Sequence, residues 1–492
     1  MIFRNYFHNA TWSGIVAFFR ALSGILCTVL ALRLLGTYQY GRLSMWLSFF
    51  IIYLSFISSV FTVLVVKLLS TTIEGNTQAD PESLKRPATL LCCLSLVFLV
   101  PVTLVLSAYS EQSSSVRLLE TQVFDYAILI IGALTGIQIL VAFQSAIIEG
   151  AGRLDLATKY QLTGPFILLA CLLYSYFWDV TFDLVNYLLL ICAASVSDLV
   201  LISIVRRYLG LGLYSIANIK ASNFSETKKL LRYGGMLQAT SLLGLFLEPL
   251  NKLLLNHFTG SGNVAIYDLS MKVVWGIQHL ISSAMRVFVH IGSQDRPALG
   301  KLFAGAVNLL GVPVIVLHSL GAIFLYLVSV YWISIDIVPL MIFFVIATLS
   351  NLGMIFISPL YLSLIGANEY TFIFRIQAVL ALVNTLVSIL AIPFLGLIGA
   401  ALGLLLATAI NVQAIFKRCR SHGVNYSDLA NLISNNKSRF LLAIFLFGIT
   451  IFLVIAETGH IIFLPLSLLF FIGIMFREPL PRRMIGYLFI RR

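Results

Sequence analysis

The chain has 492 residues, 60% of them hydrophobic and only 11% charged, with a formal net charge of +12. A mean hydropathy of +0.98 excludes a soluble domain, and apolar runs of about 20 residues recurring from end to end dictate an all-α, polytopic membrane protein. In such a chain the positive balance reports orientation and not a nucleic-acid partner.

The N-terminal segment to Thr11 is short, carries Arg4 and leads straight into a full-length span, so no cleavable signal is expected. Fourteen spans are expected, at 12–35, 43–69, 88–109, 123–148, 159–177, 184–206, 233–257, 265–290, 303–329, 337–364, 371–393, 398–416, 439–456 and 460–476. With the N-terminus in the cytoplasm, the basic residues of 206–232 and 417–439, and those of the C-terminal tail, all fall inside. Only Arg42 and Arg117 fall outside. Such a bias supports this topology, an even number of spans and a cytoplasmic C-terminus.

The expected organisation is an N-lobe over 1–206, a basic linker over 207–232, a C-lobe over 233–417 and a second linker over 418–438. Two extra spans and a basic tail follow over 439–492. An internal repeat supports the two lobes. Leu43-Ser44-Met45 after Tyr40 matches Leu269-Ser270-Met271 after Tyr267, and Gly150-Ala151-Gly152-Arg153 matches Gly366-Ala367-Asn368-Glu369 at nearly the same offset. Repeats of six spans share one orientation, which relates the lobes by a pseudo-two-fold along the membrane normal.

Charges inside the spans carry the functional signal. Span one places Arg20 on a stripe of small residues (Ser13, Ala17, Gly24, Thr28), and span six places Asp198 beside Ser195 and Ser197. Span seven carries Glu248, Pro249, Asn251 and Lys252. Span eight shows Asp268, Lys272, Trp275, His279, Ser282/Ser283, Arg286 and His290 at steps of three or four residues, one face of one helix. A charge at mid-membrane costs about 2.5–3.5 kcal/mol, so such a stripe must face protein or water. One reading is the wall of an aqueous cavity. The other is a set of ion pairs that hold helices together, since Glu248/Lys252 and Asp268/Lys272 are each spaced to pair along one helix.

Within the spans Arg20, Arg33, Lys67, Lys252, Lys272 and Arg286 stand against Asp198, Glu248 and Asp268. The surplus is positive, and a cationic lumen suits an anionic solute. Arg20, Arg286, Lys272, Lys252, His279 and Trp275 are therefore the candidate substrate contacts. Asp198, Glu248 and Asp268 are the candidates for a coupling H⁺ or Na⁺. Enzyme, cofactor and metal signals are missing. Nothing resembles a P-loop or a nucleophile elbow, the six cysteines show no redox or metal spacing, and His318 stands alone in an apolar span as a packing residue.

Four stretches resemble the polysaccharide-transporter (Wzx-type flippase) branch of the multidrug/oligosaccharidyl-lipid/polysaccharide exporter superfamily. Leu32-Arg33-Leu34-Leu35-Gly36 through Tyr40-Gly41 is similar to its span-one ending. Glu149-Gly150-Ala151-Gly152-Arg153 is similar to the G-x-G-R after span four. Glu248-Pro249-Leu250-Asn251-Lys252 with Ala265-Ile266-Tyr267 sits where the family has D-R-x-L-L and G-x-Y, with Asn251 replacing the usual acid. Phe394 to Ala401 is close to L-G-x-x-G-A-A. The resemblance implies two six-helix lobes in a V, alternating access, and the cytoplasmic membrane of a bacterium. It implies a polyprenyl-diphosphate-linked oligosaccharide as substrate, of undecaprenyl type, such as an O-antigen, capsule or exopolysaccharide unit. Tyr267, Trp275 and Gln278 would meet its sugars, and spans 13 and 14 its lipid tail. Polysaccharide polymerase and export machinery are candidate partners. A cation-coupled drug exporter, a peptidoglycan-precursor flippase and a membrane glycosyltransferase are the competing expectations.

Overall fold

A computed structural model describes residues 2–61, 118–150, 159–210, 246–285, 299–367 and 369–420, except 181 and 334. It also describes isolated positions among 92–104 and at 156, 240, 243 and 448. Every regular element among them is helical. The helices are α1 (Ile2–Phe61), α2 (Leu118–Gly150), α3 (Thr163–Phe177), α4 (Leu184–Tyr208), α5 (Glu248–Thr259), α6 (Ser261–Met285), α7 (Leu299–Val328), α8 (Ile337–Gly366), α9 (Tyr370–Leu395) and α10 (Leu397–Arg420). A π-helical turn, Ser329–Ile333, extends α7.

Seven stretches among the described residues are long and apolar enough to cross a bilayer: Gly14–Ser48, Tyr126–Glu149, Leu184–Tyr208, Pro313–Ile333, Ile337–Ile365, Tyr370–Leu395 and Leu397–Arg420. A helix of the length of Gly14–Ser48 would measure about 52 Å, against a hydrocarbon core of about 30 Å. Gly36 breaks it, with φ 78° and ψ 162°, a left-handed conformation that costs glycine nothing. The expected spans one and two are thus the two arms of α1. The 421–438 stretch of the second linker and the expected spans 439–456 and 460–476 lie outside the described residues, apart from Gly448. So does most of the 207–232 linker.

By packing, the chain forms two units, Met1–Leu269 and Ser270–Arg492. In the first, α1 packs on α2, α3, α4 and α5, and α4 packs on α2 and α3. Gly41 explains one of these approaches, because a Cβ there would run into the backbone carbonyl of Ser261 at the head of α6. In the second unit α8, α9 and α10 pack together and α7 lies on α8. Ile357, Leu360 and Leu364 meet Ile373, Ile376, Ile415 and Phe416 there. The α9–α10 hairpin turns at Gly396 (φ 54°), and a Cβ on Gly399 would meet the backbone of Ala391 and Ile392 at 2.5–2.7 Å. The glycines of the Phe394–Ala401 stretch therefore have a steric reason. Apolar burial gives little drive between helices in lipid, so such close approaches and interhelical hydrogen bonds hold the bundle.

Candidate functional site

Two polar centres lie in the first unit. The first is built around Arg20, on an apolar arm of α1 and exposed. Its Nη1 donates to Gln161 Oε1 at 3.1 Å, and Gln161 Nε2 donates to Ser145 Oγ of α2 at 2.9 Å. Arg20 and Asp198 of α4 also feel each other's charge. Asp198 has a task of its own. Its Oδ1 accepts the Gly164 backbone N–H at 2.6 Å, capping the first turn of α3, where a carboxylate meets the positive end of the helix dipole. Gly164 makes this possible, since any Cβ would collide with the carboxylate. Four elements thus converge on Arg20, which keeps most of its donor fork beyond the single bond to Gln161.

The second centre sits on the α5–α6 hairpin. Gly260, at φ 91°, turns the chain so tightly that one residue separates the helices. Lys252 and Asp268 stand eight residues to either side of it, about 12 Å along each helix, and so face one another. Lys252 Nζ lies 2.5 Å from Asp268 Oδ1 and 2.6 Å from Glu248 Oε1. Tyr40 of α1 donates its hydroxyl to Asp268 Oδ2 at 2.5 Å, while Thr28 Oγ1 stands 3.5 Å away. Lys252, Asp268 and Tyr40 are all buried, at 3%, 2% and 2% exposure. Glu248–Lys252 is the pairing along one helix that the spacing suggests. The bond from Lys252 to Asp268 crosses between helices instead. The ammonium is shared by two carboxylates, one on each helix of the hairpin.

Further along α6, Lys272 and Trp275 are half-buried and His279 is exposed. Arg286 and His290 lie outside the described residues. Tyr267, expected to meet sugars, is fully buried, as is Asn251 at the position of the family's usual acid.

The second unit holds a polar core that the sequence did not signal. His318 of α7 is fully buried; its Nδ1 donates to Val314 O at 2.7 Å, and Nε2 lies 3.1 Å from Asn351 Nδ2 of α8. Ser350 bonds Thr408 Oγ1 at 2.8 Å and Leu404 O at 3.2 Å. Outside that core, the exposed Arg418 donates from Nη2 to both oxygens of Glu369 at 2.8 Å. Gln161 and Asn351 escaped sequence reading because each is neutral, and Tyr40 was legible only as part of a repeat and a motif, not as a partner of Asp268. Only an alternation of polar side chains across facing helices would reveal them, and that needs the packing. Among the described residues no group of His, Cys, Asp and Glu could hold a metal ion.

A family profile described as polysaccharide biosynthesis protein matches residues 7–289, more than half of the chain. This chain belongs to that family. A search of curated proteins returns no match. Solved structures share the fold of this polysaccharide biosynthesis family member at low identity. One is the lipid II flippase MurJ in an inward closed conformation, at 13% identity, 94% of this chain, 98% of that chain and TM-score 0.69. Another is an inward-facing multidrug resistance MATE family transporter of the MOP superfamily, at 14% identity, 84% and 99% coverage and TM-score 0.62. A third is a MOP superfamily transporter from Pyrococcus furiosus, described by a binding pocket of reverse polarity, at 13% identity, 85% and 96% coverage and TM-score 0.60. The chain is a multi-pass membrane protein with the fold of these transporters.

Proposed function

We propose that this family member is a flippase. It moves a polyprenyl-diphosphate-linked oligosaccharide from the inner to the outer leaflet of a bacterial cytoplasmic membrane by alternating access. The observation that carries the reading is Arg20, an exposed guanidinium on an apolar arm of α1, hydrogen-bonded to Gln161 and within the field of the Asp198 carboxylate. A guanidinium in a span is costly. Its planar fork matches a phosphate bidentately, and charge-assisted bonds of this kind are the strong ones. A family concerned with polysaccharide biosynthesis and a transporter fold together call for an anionic headgroup that must cross a bilayer.

Lys272, Trp275, His279 and Arg286, on one face of span eight, would take the headgroup and sugars during crossing. Lys252 serves that path through the centre it forms with Glu248 and Asp268. There a coupling H⁺ or Na⁺ would compete with the ammonium for the two carboxylates, with Asp198 as the counter-charge to Arg20. The inside-negative potential adds about 2.3 kcal/mol per anionic charge per 100 mV for outward movement.

The test is surface glycan in a host whose own copy is deleted, complemented with Arg20→Ala or Arg20→Lys at matched membrane levels. Loss of a charge-assisted contact of about 1.5–3 kcal/mol lowers export about tenfold or more in the Ala variant, and Lys restores some of it. Wild-type glycan in Arg20→Ala overturns the reading. A peptidoglycan precursor is the second cargo to consider, because the MurJ fold covers 94% of this chain against 84% for the MATE transporter. Rescue of a cell depleted of its lipid II flippase separates the two.

A further inference from the structure

The second unit buries the His318 imidazole of α7 against a single amide of α8 that also reaches α6. His318 Nδ1 faces the Val314 carbonyl at 2.7 Å. A carbonyl only accepts, so Nδ1 carries the hydrogen and Nε2 presents its lone pair. Asn351 Nδ2 fills that lone pair at 3.1 Å and also donates to the Val274 carbonyl of α6 at 2.9 Å. The second bond fixes which way the amide points, because Oδ1 in that place would set two acceptors against each other. The amide oxygen is then left buried with no hydrogen-bond partner among the described residues. Both side chains are nearly sealed, at 0% and 4% exposure.

We propose that the His318–Asn351 pair is a proton-binding site, at which uptake of H⁺ by Nε2 releases α6 from α8. The proton adds to the free lone pair and no covalent bond breaks. Imidazolium Nε2–H would point at the Asn351 amide hydrogens, so the amide must turn and offer Oδ1, the atom that otherwise lacks a partner. That turn removes the donor to Val274 O and puts an oxygen in its place. Buried acceptors in contact repel, and α6 must move off α8 at Val274.

The apolar packing around the pair gives the movement discrete states. A Cβ on Gly321 of α7 would meet Val273 at 2.8 Å and Phe344 at 3.3 Å, and Ile281 packs on Val314 and Ile355. Within two turns of the contact, α7 and α8 bring no other charged or titratable group to His318. On α6 those groups are Lys272 and His279, with Tyr267 and Asp268 at the far end in the Lys252 neighbourhood. Helix α6 also carries the stripe proposed to handle substrate. The site thus adds to the transport reading a second proton site, distinct from the ion site proposed at Glu248 and Asp268, and only a role in transport rests on that reading.

The experiment needs no cargo, so its failure is distinct from failure of the flippase assignment. The full chain is reconstituted in nanodiscs with nitrogen-labelled histidine and with fluorotryptophan. His318 and Trp275 signals are assigned by His318→Gln and Trp275→Phe. Between about pH 8 and about pH 3, a range that reaches well below ordinary histidine titration, His318 should pass from the Nδ1–H tautomer to imidazolium. The Trp275 resonance should shift with the same midpoint. His318→Gln abolishes the Trp275 step. Asn351→Asp, which offers the imidazolium a carboxylate, raises the midpoint by about one pH unit or more, a tenfold gain in proton affinity. A His318 signal that stays neutral over the whole range, or a Trp275 step that survives His318→Gln, overturns the proposal. If His318→Gln does not fold, the Asn351→Asp midpoint decides, and an unmoved midpoint overturns it equally.

Discussion

Tyr40 and Asp268, 228 positions apart in the sequence, meet inside the first unit, where the phenol donates to a carboxylate oxygen at 2.5 Å. The contact ties the second arm of α1 to the α5–α6 hairpin at a buried charge. It also orients Asp268, whose other oxygen is left to Lys252.

Tyr40→Phe removes the phenol's hydrogen and keeps the ring. A hydrogen bond to a charged group contributes about 1.5–3 kcal/mol, and the carboxylate stays buried without its second donor. The variant should therefore unfold that much more readily in mixed-micelle denaturation. An unchanged transition would mean that the phenol is idle in the folded protein.

Lys252 sits between Glu248 and Asp268, and buried ion pairs obey an asymmetric rule. Removing one partner strands the other charges and costs about 3–5 kcal/mol, whereas removing all of them together can be neutral. Lys252→Met should be the most damaging single change in the hairpin, lowering both folded yield and stability. Lys252→Met with Glu248→Gln and Asp268→Asn should regain most of the stability but no export. Thermal unfolding in detergent and surface glycan, measured on the same set, check the two halves. Recovery of export in the triple variant would deny the centre a role in coupling.

The sequence made the charged residues legible and left their company hidden. Arg20, Lys252 and Asp268 stood out because a charge inside an apolar run has few explanations. The kink at Gly36 was legible only as a gap, 36–42, between two apolar runs, although the helix resumes directly after the glycine. The Lys252–Asp268 bond was not expected, because helical spacing offers Lys272 to Asp268 and says nothing of a one-residue turn at Gly260. The cap on α3 was hidden as well. Gly164 reads as one glycine among 33 until the Asp198 carboxylate is seen against it. His318, alone in an apolar span, reads as packing, and what changes its meaning is Asn351, on another helix.

Asp198 offers two roles that one substitution separates. As the cap of α3 it accepts from Gly164 N–H, and asparagine does that nearly as well as aspartate. As a coupling carboxylate it would need its charge. The tight fit at Gly164 and the 2.6 Å bond favour the cap. Asp198→Asn should therefore stay within about 0.5 kcal/mol of the parent in unfolding, and Asp198→Ala should lose about 1 kcal/mol, a usual cost of a lost N-cap. Export should follow stability in both, since Gln161 continues to hold Arg20. If Asp198→Asn folds normally but exports nothing, the carboxylate's charge is needed in transport, and the coupling role passes from the Glu248–Asp268 centre to Asp198.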